Sequence, residues 1–269
     1  MRLNRRELLR TGASALLAAG VWPGALAARD RKAGEAFSFL VVNDTHYLDE
    51  RCGPWLEKAV RQMKAQREPI DFCLMLGDLG EHGRTSQIDA LFQIFKGLDK
   101  RVHYVIGNHD YVTQTDRTPF ESLVTRRLNY AFEYGDWQFV GLDTSSGQES
   151  RNTSIEKPTL QWLDAELPKL DKKKPLVIFT HFPLGPLVPG RPKNAKEVLD
   201  RFKEHNLQAC FSGHFHGFTE RHVQGAALTT DRCCSHSHAN HDGDKKKGYF
   251  LCQAKDGRIS RTFVEAQLG

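Results

Sequence analysis

Of 269 residues, 38 are Lys or Arg and 33 are Asp or Glu, a formal net charge of +5 at pH 7 with histidines neutral. Residues 1–28 hold four Arg and one Glu, a net of +3, which leaves +2 for the remainder, and a body so nearly neutral gives little support for nucleic-acid binding. The length suits one sizeable α/β domain with a substantial core and no second domain, and no internal repeat or low-complexity tract interrupts it.

At the N-terminus, Arg2, Arg5, Arg6 and Arg10 precede an apolar run from Thr11 to Val21 and the small-residue stretch Ala25-Leu26-Ala27-Ala28, the layout of a secretory signal. That run, broken by Gly12 and ended by Gly20 and Pro23, falls well short of the roughly twenty residues a membrane span needs, so no stable anchor is expected. Asn4 to Arg10 resembles a twin-arginine export motif with its Arg pair intact, Leu8 where Phe is usual, and Asn4 and Arg10 in place of Ser or Thr and Lys. The resemblance implies a protein exported already folded, periplasmic or secreted, with residues 1–28 as signal and 36–269 as the working domain.

Downstream, apolar runs at Phe37–Val42, Asp71–Leu76, Val102–Ile106, Leu176–Thr180 and Leu207–Ser212 predict strands. Leu56, Val60 and Met63 share one face of a predicted helix from Pro54 to Gln66, and Ile88, Leu91, Phe92, Phe95 and Leu98 do so from Ser86 to Leu98. Asn129–Tyr134 and Trp137–Leu142 flank Gly135-Asp136 as a hairpin, and Gly248–Ala254 and Arg258–Val264 flank Lys255-Asp256-Gly257 as another. Between them, Thr159–Leu167 predicts a helix, and Asn194 followed by Glu197 caps a helix that turns Val198, Leu199 and Phe202 inward. This mixture implies two packed sheets with helices outside.

Two stretches read as loops: Pro183–Pro192 is either a lid that offers Arg191 to a phosphate or a stiff surface connection. Ser235–Asp244, with His236, His238 and His241, is either a polar turn or a source of substrate contacts. Cys73, Cys210 and Cys252 sit in strand patterns as small hydrophobes, while export would permit a disulfide among Cys52, Cys233 and Cys234.

The chemistry lies where the strands end. Asp44-Thr45-His46, Gly77-Asp78-Leu79, Gly107-Asn108-His109-Asp110, Thr180-His181 and Gly213-His214-Phe215-His216 each close one of the five apolar runs. In open α/β sheets the carboxyl ends of strands share a crevice, so side chains distant in sequence converge there. One such motif alone is weak; five in order, each on a strand end, describe a two-metal site that cleaves phosphoesters. Imidazole, carboxylate and carboxamide ligands without thiolate suit Mn, Fe, Zn or Co, and no C-x-x-C pair suggests structural zinc. Asp78 is the natural bridge, since a carboxylate has an oxygen for each of two metals.

Together these motifs resemble the calcineurin-like metallophosphoesterase superfamily, whose pattern is D-x-H, GD, GNH(D/E), H and GHxH, from roughly Phe37 to the C-terminus. The likeness is greatest to bacterial cyclic-nucleotide phosphodiesterase-like members. It implies a four-layer αββα sandwich and two divalent or trivalent ions. The first would take Asp44, His46, Asp78 and His216, and the second Asp78, Asn108, His181 and His214. Such a pair, about 3.5 to 4 Å apart, clamps the oxygens of an in-line displacement by a bridging hydroxide. The implied substrate is a small phosphodiester, cyclic-nucleotide or glycerophosphodiester-like; a phosphomonoesterase or nucleotidase, or a non-catalytic metal-binding scaffold, are the alternatives.

His109 would protonate the leaving oxygen or hydrogen-bond developing charge. Asp110 would fix its tautomer or raise its basicity, unless it is a loop cap. Asn108, His109, Arg191 and His241 are the candidate substrate contacts. Two positions depart from relatives: Glu81 stands where purple acid phosphatases place a metal-binding Tyr, and Thr180 and Phe182 flank His181 where phosphodiesterase-like members often carry a second His. His82, His103, His205 and His222, outside the motifs, read as surface or core histidines.

Overall fold

The structure, a computed structural model, describes residues 34–124 and 127–266, so the expected signal at 1–28 lies outside the described residues. From the N-terminal side come strand β1 (Phe37–Val42), helix α1 (Cys52–Lys64), β2 (Ile70–Met75), α2 (Thr85–Lys96), β3 (Arg101–Tyr104) and the short α3 (Thr118–Leu123). A hairpin follows, β4 (Tyr130–Tyr134) and β5 (Trp137–Leu142), then α4 (Lys157–Glu166), β6 (Leu176–Thr180), α5 (Ala195–Arg201) and β7 (Leu207–Ser212). Two further hairpins complete it: β8 (Thr219–Val223) with β9 (Ala226–Thr230), and β10 (Gly248–Lys255) with β11 (Arg258–Glu265).

These strands form a five-stranded sheet of order β11-β10-β1-β2-β3 and a six-stranded sheet of order β4-β5-β6-β7-β9-β8. β1, β2 and β3 run parallel, as do β5, β6, β7 and β9, while the hairpin partners run antiparallel. β1 is buried at every position because both faces are covered, which is why it reads as a continuous apolar run rather than an alternation. Phe37, Phe39 and Val41 face the other sheet, and Leu40 and Val42 face α1 and α2.

The layer between the sheets is aromatic: Phe39 stacks on Phe72 at 5.2 Å and Phe139 meets Phe72 edge-on at 5.2 Å. Each ring so buried contributes about 1.5–3 kcal/mol. On one outer face α1 and α2 bury Trp55, Leu56, Val60, Met63, Ile88, Leu91 and Phe95; on the other α4 and α5 bury Leu163, Val198 and Leu199. The result is the four-layer αββα sandwich.

Element ends differ from the sequence-based bounds by one or two residues, and three elements are additional: α3, β8 and β9. Asn194 precedes α5 as expected but does not cap it: its Oδ1 accepts the Ile155 N–H at 2.8 Å and its Nδ2 donates to the Ile155 carbonyl at 2.9 Å. All six cysteines are buried and free, and the disulfide that export would permit among Cys52, Cys233 and Cys234 is not formed. No described helix is long and apolar enough to cross a membrane.

Candidate metal centre

The carboxyl ends of β1, β2, β3, β6 and β7 meet at one place, because both sheets present their parallel strands in the same direction. Backbone bonds stitch the adjoining loops: Asp44 N–H to Gly77 O at 3.2 Å, His46 N–H to Asp78 O at 3.0 Å, and Gly213 N–H to His181 O at 3.0 Å. Five side chains leave the backbone at positive φ: Asp44 (53°), His46 (45°), Asp78 (50°), His214 (65°) and His216 (46°). Such left-handed positions are where Asp and His are tolerated, and they cluster at functional sites whose surroundings over-determine them. At Gly107 close approach is the requirement: a Cβ there would collide with the Asp78 carboxylate and amide.

Four groups of ligand atoms result, each within 4.8 Å internally: Asp44, His46, Asp78 and His216, and Asp78, His181 and His214, share Asp78, while His46, His216 and His238, and His46, Glu81 and His109, overlap the first. In the first, His46 Nε2 and His216 Nε2 face each other at 3.1 Å, with Asp44 Oδ1 3.2 Å from His216 Nε2 and Asp78 Oδ2 3.5 Å from His46 Nε2. In the second, His181 Nε2 lies 3.3 Å from Asp78 Oδ2 and 3.2 Å from Asn108 Oδ1. His181 Nδ1–H donates to Leu76 O at 2.8 Å, which fixes the tautomer that leaves Nε2 bare toward the site. His214 Nε2–H likewise donates to Ser150 O at 2.9 Å, leaving Nδ1 to coordinate. The structure therefore brings together all seven residues expected as ligands.

Asp44 and Asp78 are wholly buried, and their ion partners are imidazoles rather than guanidinium or ammonium groups. Burial pushes the Asp44 carboxyl up, but His216 and His181 hold it below the ordinary range, and His181 does the same for Asp78. Burial draws the His181 imidazole down, yet Asp78 and Asp44 raise it to about 9. His214, buried and beside His181, falls to about 4. Two buried carboxylates are thus faced by imidazoles alone, with no Lys or Arg paired to them among the described residues, a donor set that bound metal ions would satisfy, since buried charge is tolerated only when paired or bound to metal. The oxygen and nitrogen donor set, free of thiolate, fits two hard or borderline divalent ions.

A cleft of about 310 Å³ opens over this floor, lined among others by Asn108, His109, Arg151, Gly190, His238 and His241. His109 Nδ1–H donates to the Glu81 carbonyl at 2.9 Å, so its Nε2 remains available in the cleft. Burial lowers its pKa, but Asp78 and both the carbonyl and carboxylate of Glu81 outweigh that and raise it.

Asp110 does not serve the His109 ring as expected. Its carboxylate accepts three backbone N–H groups, from Leu79 at 2.7 Å, Gly80 at 3.2 Å and Gly107 at 2.9 Å, and so ties the second motif to the third. Arg191 is also displaced from its expected role: its Nε–H donates to Leu184 O at 2.9 Å, and it does not line the cleft. The Pro183–Pro192 loop is instead a wall, with Gly190 at φ 79° laid so close to the His214 ring that a Cβ would strike it. The arginine at the cleft is Arg151, and His241 lines the cleft as expected.

Sequence reasoning named Glu81 only as a departure from purple acid phosphatases and His238 only as one of three histidines of the Ser235–Asp244 stretch, and did not foresee their contact. The Glu81 carboxylate lies 2.7 Å from His238 Nε2 and 3.0 Å from His46 Nδ1, the latter without hydrogen-bond alignment. Glu81 lies three residues past Asp78, whereas nothing local singles out His238 from His236 and His241.

The family profile described as calcineurin-like phosphoesterase matches residues 37–218. The chain is similar to a 3',5'-cyclic-nucleotide phosphodiesterase of Nostoc sp., 28% identical over 58% of this chain and 60% of that protein. It is also similar to a glycerophosphodiester phosphodiesterase of Enterobacter lignolyticus, 24% identical over 70% of this chain and 74% of that protein. In fold it is similar to a purple acid phosphatase from yellow lupin seeds, with a TM-score of 0.60 at 12% identity over 91% of this chain and 52% of that one. The aligned stretch thus spans about three fifths of the Nostoc relative and half of the lupin enzyme.

Proposed function

Because the chain belongs to the calcineurin-like phosphoesterase family, we propose that it is a metal-dependent hydrolase of a small phosphodiester, cyclic-nucleotide or glycerophosphodiester-like. The observation that carries this is the pair of ligand groups joined by Asp78 on the floor of a cleft that also holds a histidine with a free nitrogen. The names of the Nostoc and Enterobacter relatives favour the diester over the monoester.

Asp44, His46, Asp78 and His216 would hold one ion, and Asp78, Asn108, His181 and His214 the other. Bound there, two divalent ions supply charge to the phosphate oxygens and acidify a water. Asn108 turns its Oδ1 toward His181, which leaves its Nδ2–H for a phosphate oxygen. His109, engaged through Nδ1, turns Nε2 into the cleft, where in its protonated form it would give a proton to the departing alkoxide, the role of a general acid. Arg151 at the cleft favours an anionic substrate.

The test is hydrolysis of a chromogenic phosphodiester against the matching monoester by Mn-loaded protein. Asp78→Asn and His181→Ala should each lower kcat by about 10³-fold or more, several kcal/mol of transition-state stabilisation, with unchanged far-UV circular dichroism. Full activity in either variant would sink the proposal, and preference for the monoester would replace it with a phosphatase reading.

A further inference from the structure

Residues 235–244 return over the metal centre and lay one imidazole against each histidine of the first ligand group. The His238 ring lies along that of His46, centroids 3.9 Å apart and planes at 14°; the His241 ring lies along that of His216, at 5.1 Å and 12°. On the second group the neighbouring ring is Phe182 instead, 4.0 Å from His214 and edge-on to His181. Both His238 and His241 lie beyond residue 218, where the family match ends.

The segment is built to hold these rings still. Ser235 Oγ accepts the N–H groups of Ser237 and His238 at 3.3 and 3.1 Å. Asn240 accepts the Cys233 N–H at 3.0 Å and donates to the carbonyls of Asp244 and Lys246 at 2.8 and 2.7 Å. His241 N–H donates to the His216 carbonyl at 2.8 Å, which fastens the segment to a ligand residue directly.

A metal-bound imidazole is a good ligand when its ring plane is fixed and its second nitrogen faces a carboxylate or carbonyl. His181 and His214 have such partners in Leu76 O and Ser150 O. His46 has no carbonyl partner; its Nδ1 faces Glu81, whose carboxylate His238 holds at 2.7 Å. His216 Nδ1 is buried with no partner at all, so apart from Asp44 and His46 at its Nε2 it is the His241 stack and the backbone bond that orient the ring.

We propose that residues 235–244 form a clamp that sets the affinity of the first metal position, with Glu81, His238 and His241 as positioning residues. The inference rests on the metal reading of the site but not on any substrate. It makes His241 a support of His216 rather than a contact for the substrate, and it separates the two positions: the first depends on this segment and the second does not.

The experiment is calorimetric titration of metal-stripped protein with Mn in a His181→Ala background, which removes the imidazole of the second position so that the first is read alone. His238→Ala and His241→Ala should each weaken Mn binding by about 10- to 100-fold, the usual effect of losing an outer partner of a ligand. His241→Phe keeps the flat ring and should bring affinity back near that of the parent, a rescue that loss of a hydrogen bond or charge would not allow. His238→Gln keeps a donor for Glu81 without the stack and should bind between parent and alanine, and His222→Ala, an exposed position of β8, should bind as the parent does. Unchanged affinity in both alanine variants, or no rescue by His241→Phe, overturns the clamp while leaving the proposed activity standing. Protein with His181 intact that binds no Mn overturns both.

Discussion

His103 shows what one buried side chain does to the response of the whole protein to pH. Its ring stacks on Phe132 at 3.7 Å inside the sandwich, and burial, assisted by the charge of Arg101, holds its pKa well below the ordinary imidazole value. The unfolded chain therefore takes up a proton as pH falls through about 6.5, while the folded protein does not until far lower. Stability from this residue is complete above that pH and declines below it, by up to about 1.4 kcal/mol per pH unit. His103→Phe, which keeps the stack, should lose less Tm than the parent between about pH 7.5 and 5; equal losses in the two proteins would refute the assignment. At this scale the residues that converge were legible, since Asp44, His46, Asp78, Asn108, His181, His214 and His216 each sit in a short motif at a strand end. Glu81 and His238 were not, because their contact joins positions 157 apart through an irregular segment that no periodicity describes. Asp110 was misjudged for a related reason: adjacency to His109 in sequence says nothing of where its carboxylate points.

Among the elements, α5 is held by a tie that propensity does not reveal. Asn194 clasps both polar groups of Ile155, joining the start of α5 to the segment before α4. Asn194→Ala removes two hydrogen bonds and leaves half-buried backbone groups to find water, so it should cost about 1–3 kcal/mol in urea unfolding. A loss below about 0.5 kcal/mol would show that solvent replaces the clasp. The strands most readily recognised were those buried on both faces, where apolar runs are unbroken. The β8–β9 hairpin escaped because Thr219–Val223 is largely polar and its turn, Gln224-Gly225, has positive φ at both positions without the Asn or Asp that usually marks such a turn.

For the whole molecule, five candidate ligand residues in left-handed backbone, at about 1–2 kcal/mol each, and two buried carboxylates among them are costs that bound cations would offset. An ion at 100 times its Kd stabilises the folded state by about 2.7 kcal/mol, so chelation should lower Tm by about 5 °C or more and Mn should restore it. A Tm indifferent to both would mean that the folded protein binds no metal at this site. The two-sheet architecture was legible because its inner faces are so uniformly apolar; the strand order was not, since nothing local to β1 names its partners.

That order bears on how the chain is made. β1 pairs along one edge with β2, which follows it closely, and along the other with β10, Gly248–Lys255, antiparallel from Phe37↔Ala254 to Val41↔Phe250. During synthesis at about 5–20 residues per second, one edge of this fully buried strand stays without its partner for on the order of ten seconds or more. Until Gly248–Lys255 leaves the ribosome, the nascent protein presents an apolar strand edge to whatever is near, so this protein should lean on chaperones more than its size suggests.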